Sequence, residues 1–223
     1  MVIIGTIAPI LSILALGTFA KDSGPQSLRY ILVGNIVLAL MFENQGKVSG
    51  NFAFMRAMGT LNYFASLPIR RYSLVAATVL AFLLLSLPAL VATGIIGAWF
   101  LDTRLHPNLL LVIVVPLAAF PLSGIGALIG ASARNPEEAN AFSTLVTFIM
   151  LGLGPVLIPP DRLPDFMNFL GRFSPATYAA SALQQTLVGP MTPRVWLDLA
   201  ILAGLGGLIF WFVGKKLDWR QQG

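Results

Sequence analysis

YSLVAATVLAFLLLSLPALVATGIIGAWFL, residues 72–101, contains no Asp, Glu, Lys or Arg. About 20 consecutive apolar residues are enough for a helix to cross the hydrocarbon core of a bilayer. This run exceeds that, so it predicts a tilted or overlong span, interrupted at Pro88. Three further stretches are equally free of charge: 1–20, 107–133 and 139–160. Over the whole chain of 223 residues, 57% are hydrophobic and only 10% charged. Soluble domains carry about 25% charged residues, so there are too few charges here to cover a water-facing surface. The chain reads as an all-α integral membrane protein.

Six spans are expected, at about 2–20, 28–46, 72–101, 108–132, 138–158 and 196–214. The second is the weakest, because Arg29 and Glu43 frame it closely. Residues 1–20 have no basic leader and no small-residue cleavage pattern before Lys21, so they read as a retained span and not as a signal peptide. "GIGALIGA" (124–131) places small residues where helix backbones can approach closely. Six spans put both termini on one side. Of 14 Lys and Arg, eight then fall on the terminal side, with pairs at 70–71 and 215–216, so both termini are expected in the cytoplasm.

The net charge of +5 does not indicate nucleic acid, since the basic residues are scattered over short links. There is no cysteine, and the single histidine, His106, has no spaced partners for a metal. No phosphate-binding G-x-x-x-x-G-K-[ST], no G-x-S-x-G and no H-E-x-x-H occurs. The interiors of the expected spans hold essentially no ionisable residue beyond Arg29 and Glu43 near the ends of the second. That disfavours a proton-coupled transporter and an intramembrane enzyme. Any energy for transport would then come from another chain.

Two segments are not spans. In 54–66, Phe54, Met58, Leu61 and Ala65 recur at helical spacing, and Ser66-Leu67-Pro68 ends the run before Arg70 and Arg71. Such an amphipathic helix either lies in the headgroup layer or docks into a groove on a soluble partner. The other, 159–194, is semi-apolar but broken by Pro159, Pro160, Pro164, Pro175, Pro190 and Pro193. Proline excludes one continuous span there. Two short helices at about 162–172 and 175–188, dipping into the membrane edge, fit instead.

Three stretches in order, "RAMGTLNYFASLPIRRYSL", "LIGASARNPEEANAFSTLVTF" and "GPVLIPPDRLPDFMNFLGRFSPATYAASALQQTLVG", resemble the permease subunit of type-2 ABC exporters, over roughly residues 30 to 215. The resemblance implies that 54–66 is a coupling helix for a separate ATPase, with Arg56, Gly59, Thr60 and Leu61 in the contact and Pro68 and Arg70 beside it. It also implies that 159–188 is an external re-entrant pair shaped by Pro164, Pro175 and Tyr178. It further implies no cofactor in this chain, with ATP on the partner, and a second permease copy, identical or a paralogue. It places the chain in a bacterial or archaeal inner membrane. Family members usually begin with a cytoplasmic stretch and an interfacial helix, whereas apolar residues follow Met1 at once. An amphipathic or lipid-like substrate suits the uncharged interiors. The competing reading is an energy-independent channel or scaffold, with 54–66 resting on lipid.

Overall fold

A computed structural model describes residues 2–20, 24–66 and 71–216, and among them only helices, turns and loops occur. The helices are α1 (Val2–Ala20), α2 (Pro25–Leu40), α3 (Lys47–Ala57), α4 (Thr60–Ser66), α5 (Arg71–Phe100), α6 (Leu111–Ser132), α7 (Pro136–Gly152), α8 (Asp165–Gly171), α9 (Pro175–Leu187) and α10 (Arg194–Lys216). Four of the resulting rods are long and apolar enough to cross a membrane: Pro25–Ala57, Tyr72–Phe100, Leu111–Ser132 and Arg194–Lys215. A shorter apolar helix, Thr6–Ala20, packs beside them. The expected spans fall on α1, α2, α5, α6, α7 and α10, with α7 ending at Gly152 rather than 158.

The largest departure from expectation is the second span. α2 does not stop at residue 46. A π-helical turn, Met41–Gly46, joins it to α3, so one rod runs from Pro25 to Ala57. Glu43, one of the two charges that framed the expected span, is neutralised inside the protein. Glu43 is fully buried and pairs with Lys47 one turn on, while the lysine stays about a quarter exposed (26%). π-turns of this kind widen the helix and re-aim side chains. Here Asn44 donates to Ser86 Oγ on α5 (3.1 Å) and Gln45 Nε2 donates to Ser143 O (3.1 Å) and Thr147 Oγ1 (3.3 Å) on α7. Ser49 Oγ donates to Ala139 O (3.2 Å). These bonds stitch three helices together where water is scarce.

Apolar burial cannot drive helix association in lipid, because the tails are as apolar as leucine; close packing does it. α6 supplies the closest packing. A β-carbon at Gly126 would run into the backbone of Gln45, and one at Gly130 into Ser49 O and Phe52. α6 therefore lies backbone to backbone on the π-turn and α3. On its other side Phe120 stacks on Phe210 of α10, ring centroids 4.3 Å apart. Leu122, Leu32, Val37, Leu183 and Leu202 close the centre with essentially no exposed surface.

α1, α5 and α10 fix the two ends. Gly17 of α1 touches Phe100 and Leu101, and Gly214 of α10 touches Tyr72. The first residues of α1 and the last of α10 thus lie at the end that carries α4, and α8 and α9 lie at the opposite end.

Gly126→Ala is expected to lower stability by about 1–3 kcal/mol, because the clash is with backbone that cannot move aside. Gly204, with nothing within 4 Å of its would-be side chain, should accept alanine with no loss. Thermal unfolding of the purified protein in a neutral detergent reads both. By the same assay, Lys47→Ala should destabilise by about 3 kcal/mol, since it strands a buried carboxylate. Glu43→Gln should cost less, because the lysine is part-exposed and can reach outward, and Glu43→Gln combined with Lys47→Met should recover most of the loss.

Candidate functional site

At the α4 end, α3 stops because Met58 leaves helical geometry and Gly59 turns left-handed, with φ of 69°. Glycine enters that region at no steric cost, and most other residues do not. Met58 N–H donates to Phe54 O, Gly59 N–H to Arg56 O, and Asn62 N–H to Gly59 O, so one helix closes and α4 opens at a corner. The apolar spacing read across 54–66 is therefore not one stripe. Phe54 and Met58 face outward, with Met58 65% exposed, and Tyr63 beyond the corner is 64% exposed. Leu61 points the other way and is buried against Val48, Phe52, Val75, Val79 and Val213. Gly59 and Thr60 form the corner itself and are half-buried. Pro68 and Arg70 lie outside the described residues.

Arg56 is turned towards α6. Its Nη1 donates to Ala131 O (2.6 Å) and Ala133 O (3.4 Å). Those are last-turn carbonyls with no helical partner, at the negative end of the helix dipole, where a cation is favoured. The arginine is a strut between the corner and α6. The α6–α7 link beside it is held reciprocally: Asn135 Oδ1 accepts from Glu138 N–H (2.7 Å) and Glu138 Oε2 accepts from Arg134 N–H (2.7 Å). Asn135 precedes the first turn of α7, where Glu137 and Glu138 also suit the dipole.

At the opposite end the proline-rich segment forms α8 and α9, close to the expected pair. Pro164 caps α8, its carbonyl accepting from Met167 and Asn168 N–H. Pro175 is the first residue of α9, where a missing N–H removes no helical bond. Tyr178 Oη donates to Arg172 O (2.8 Å) and so fixes the α8–α9 corner. Gly171 lies against Gly154 and Pro155, which lets that corner sit on the end of α7. The α5–α6 loop is tied in by His106 N–H to Leu187 O (2.7 Å) and Asn108 N–H to Thr186 O (3.1 Å).

Between α8, α9 and the first turns of α2 and α10 opens a cavity of about 870 Å³. Arg29, Tyr30, Arg172, Tyr178 and Arg194 line it, with Asp165 as its acidic member. Beneath it lies Asp198, an ionisable residue inside an apolar helix that the sequence reading passed over, and it is fully buried. Ser181 Oγ donates to Asp198 Oδ2 (2.6 Å), as does Gln185 Nε2 (3.2 Å), and Arg194 Nε lies 3.9 Å from Oδ1. Gln185 Oε1 in turn accepts from Thr192 Oγ1 (2.6 Å). The network locks α9 to α10. Together with Glu43, it corrects the expectation of charge-free span interiors. A charge three residues into the apolar run from Trp196 was the signal for it. Among the described residues no group of three or more His, Asp or Glu side chains is placed to hold a metal.

A model of the ABC-2 type transporter family matches residues 1–188. The daunorubicin resistance ABC transporter permease protein DrrB1 of Streptomyces coeruleorubidus is 28% identical over 197 residues, covering 85% of this chain and 68% of that one. The linearmycin resistance permease protein LnrN of Bacillus subtilis is 23% identical over 171 residues, covering 77% of this chain and 43% of its own length, so this chain spans less than half of that relative. With four apolar rods long enough to cross a membrane, this chain belongs to the ABC-2 transporter family, as a multi-pass membrane permease.

Proposed function

We propose that this chain is the membrane subunit of an ATP-driven exporter and that a separate ATPase subunit docks on the α3–α4 corner. The observation that carries the reading is the corner's shape. Gly59 turns the chain so that Phe54, Met58 and Tyr63 stand out from the end of the bundle, while Leu61 and Arg56 anchor the same corner to the core and to α6. An apolar knob on a rigid mount suits a groove on a soluble partner. It also suits transmission, because a force on Met58 reaches α6 directly through Arg56. In this assignment Arg56 and Leu61 act as mounts, and Met58 and Tyr63 make the contact.

The α4 end would then be cytoplasmic, with both terminal helices ending there, and α8 and α9 would be external. A second copy, or a paralogue, would complete the path. The tight seating of α6 on α3 and α10 supports a passage between copies over one through this packed centre. An amphipathic cargo fits the apolar rods and the mixed lining of the cavity.

Extraction of the tagged protein from its native membrane should bring down a stoichiometric ATPase chain with a phosphate-binding loop. Met58→Asp or Tyr63→Asp should cut the retained ATPase by about tenfold or more while the protein still inserts. Absence of such a partner, or full retention by both variants, would overturn the docking assignment and leave α4 as a helix on the lipid surface. At Gly59, valine should weaken retention because β-branched residues are strained at positive φ, whereas asparagine, which tolerates that geometry, should largely preserve it.

A further inference from the structure

We infer that the cavity between α2, α8, α9 and α10 is a binding site for the oxyanion group of an amphiphile, a phosphate, sulfate or carboxylate carried on an apolar body. Three solvent-exposed arginines line it: Arg29 from the start of α2, Arg172 from the α8–α9 corner and Arg194 from the start of α10. Arg194 is held near Asp198. Arg29 and Arg172 make no side-chain hydrogen bond or ion pair among the described residues. One carboxylate, Asp165, shares the lining, and Asp161 and Arg162 sit together just outside it beside the first turn of α2. Asp198 beneath is already engaged by Ser181, Gln185 and Arg194. Three arginines against one carboxylate leave the lining with an excess of positive charge, which draws in the opposite ion.

The backbone adds to this. The first turns of α2, α9 and α10 open at the cavity, and neither Gly24 nor Ser174 supplies a side-chain cap. The positive ends of these helix dipoles also favour an anion. Guanidinium forks match the two or three oxygens of an oxyanion. Tyr30, Tyr178 and Pro155 offer apolar faces beside the charges. The cavity also lies at the end of the spans, the depth at which lipid headgroups sit. The same chemistry is presented by an anionic lipid, by an acidic cargo on its way through, and by free phosphate. The site belongs to this chain alone and does not depend on the ATPase assignment.

The test uses the purified full chain in maltoside detergent without nucleotide, titrated with dodecyl phosphate at fixed micelle concentration and followed by calorimetry. Saturable binding is expected, with Arg29→Gln and Arg172→Gln each weakening it about tenfold. Arg104→Gln, an exposed arginine at the same end but off the cavity, should leave it unchanged. Dodecyltrimethylammonium should not saturate. If inorganic phosphate fails to displace the probe, the amphiphile is the ligand; if it displaces the probe completely, the oxyanion site stands and free phosphate is its source. Should either glutamine variant fail to fold, Arg29→Lys and Arg172→Lys keep the charge but lose the planar fork, and each should bind several-fold more weakly. Equal affinity in the wild type and the cavity variants, or saturable binding of the ammonium probe, would overturn the inference.

Discussion

Backbone contact between α6 and the rod that crosses beside it is the constraint on which the rest of the molecule depends. Gly126 and Gly130 allow it, because any side chain there would strike Gln45 or Ser49. With the two backbones in contact, the π-turn is held where its polar side chains can be used. Asn44 reaches α5, and Gln45 reaches α7. The same contact brings the last carbonyls of α6 within reach of Arg56. In a solvent that gives no hydrophobic drive between helices, small residues and shared hydrogen bonds must hold the bundle, and here they occur on one seam.

Buried charge has a structural place in this bundle. Glu43 pairs with Lys47, and the uncharged amides of Asn44 and Gln45 between them bridge to neighbouring helices. Asp198 has a parallel place at the other end, where Ser181, Gln185 and Arg194 surround it. Asp198 ties α9 to α10, because a shifted α9 would take Ser181 and Gln185 from it in a medium that solvates charge poorly, whereas Glu43 keeps its partner within its own rod.

Two of the four long rods, Tyr72–Phe100 and Leu111–Ser132, were legible from charge-free runs, since hydrocarbon disfavours ionised groups, whereas the rods that carry Glu43 and Asp198 were read less well. The proline-rich segment was legible too, for proline forbids a continuous helix and marks first turns, as Pro175 does. The union of α2 with α3 was hidden. Glu43 looked like part of a frame around a short span, because a sequence does not reveal that Lys47 one turn on neutralises it indoors. The break at Gly59 was missed for a different reason: apolar spacing continued across it, and a glycine inside helical spacing is an ambiguous signal. The outward orientation of Met58 and inward orientation of Leu61 followed only from that left-handed turn.

The uninterrupted rod from Pro25 to Ala57 has a mechanical consequence. At about 1.5 Å per residue it is roughly 50 Å long, against a hydrocarbon core of about 30 Å. It carries Arg29 and Tyr30 in its opening turns and ends one residue before Met58. A helix of this length is stiff, and α6 grips it near the π-turn, about two thirds of the way along, so it has the proportions of a lever with a fulcrum. A small tilt imposed on the short arm sweeps the long arm through a larger arc, and the wall of the cavity moves with it.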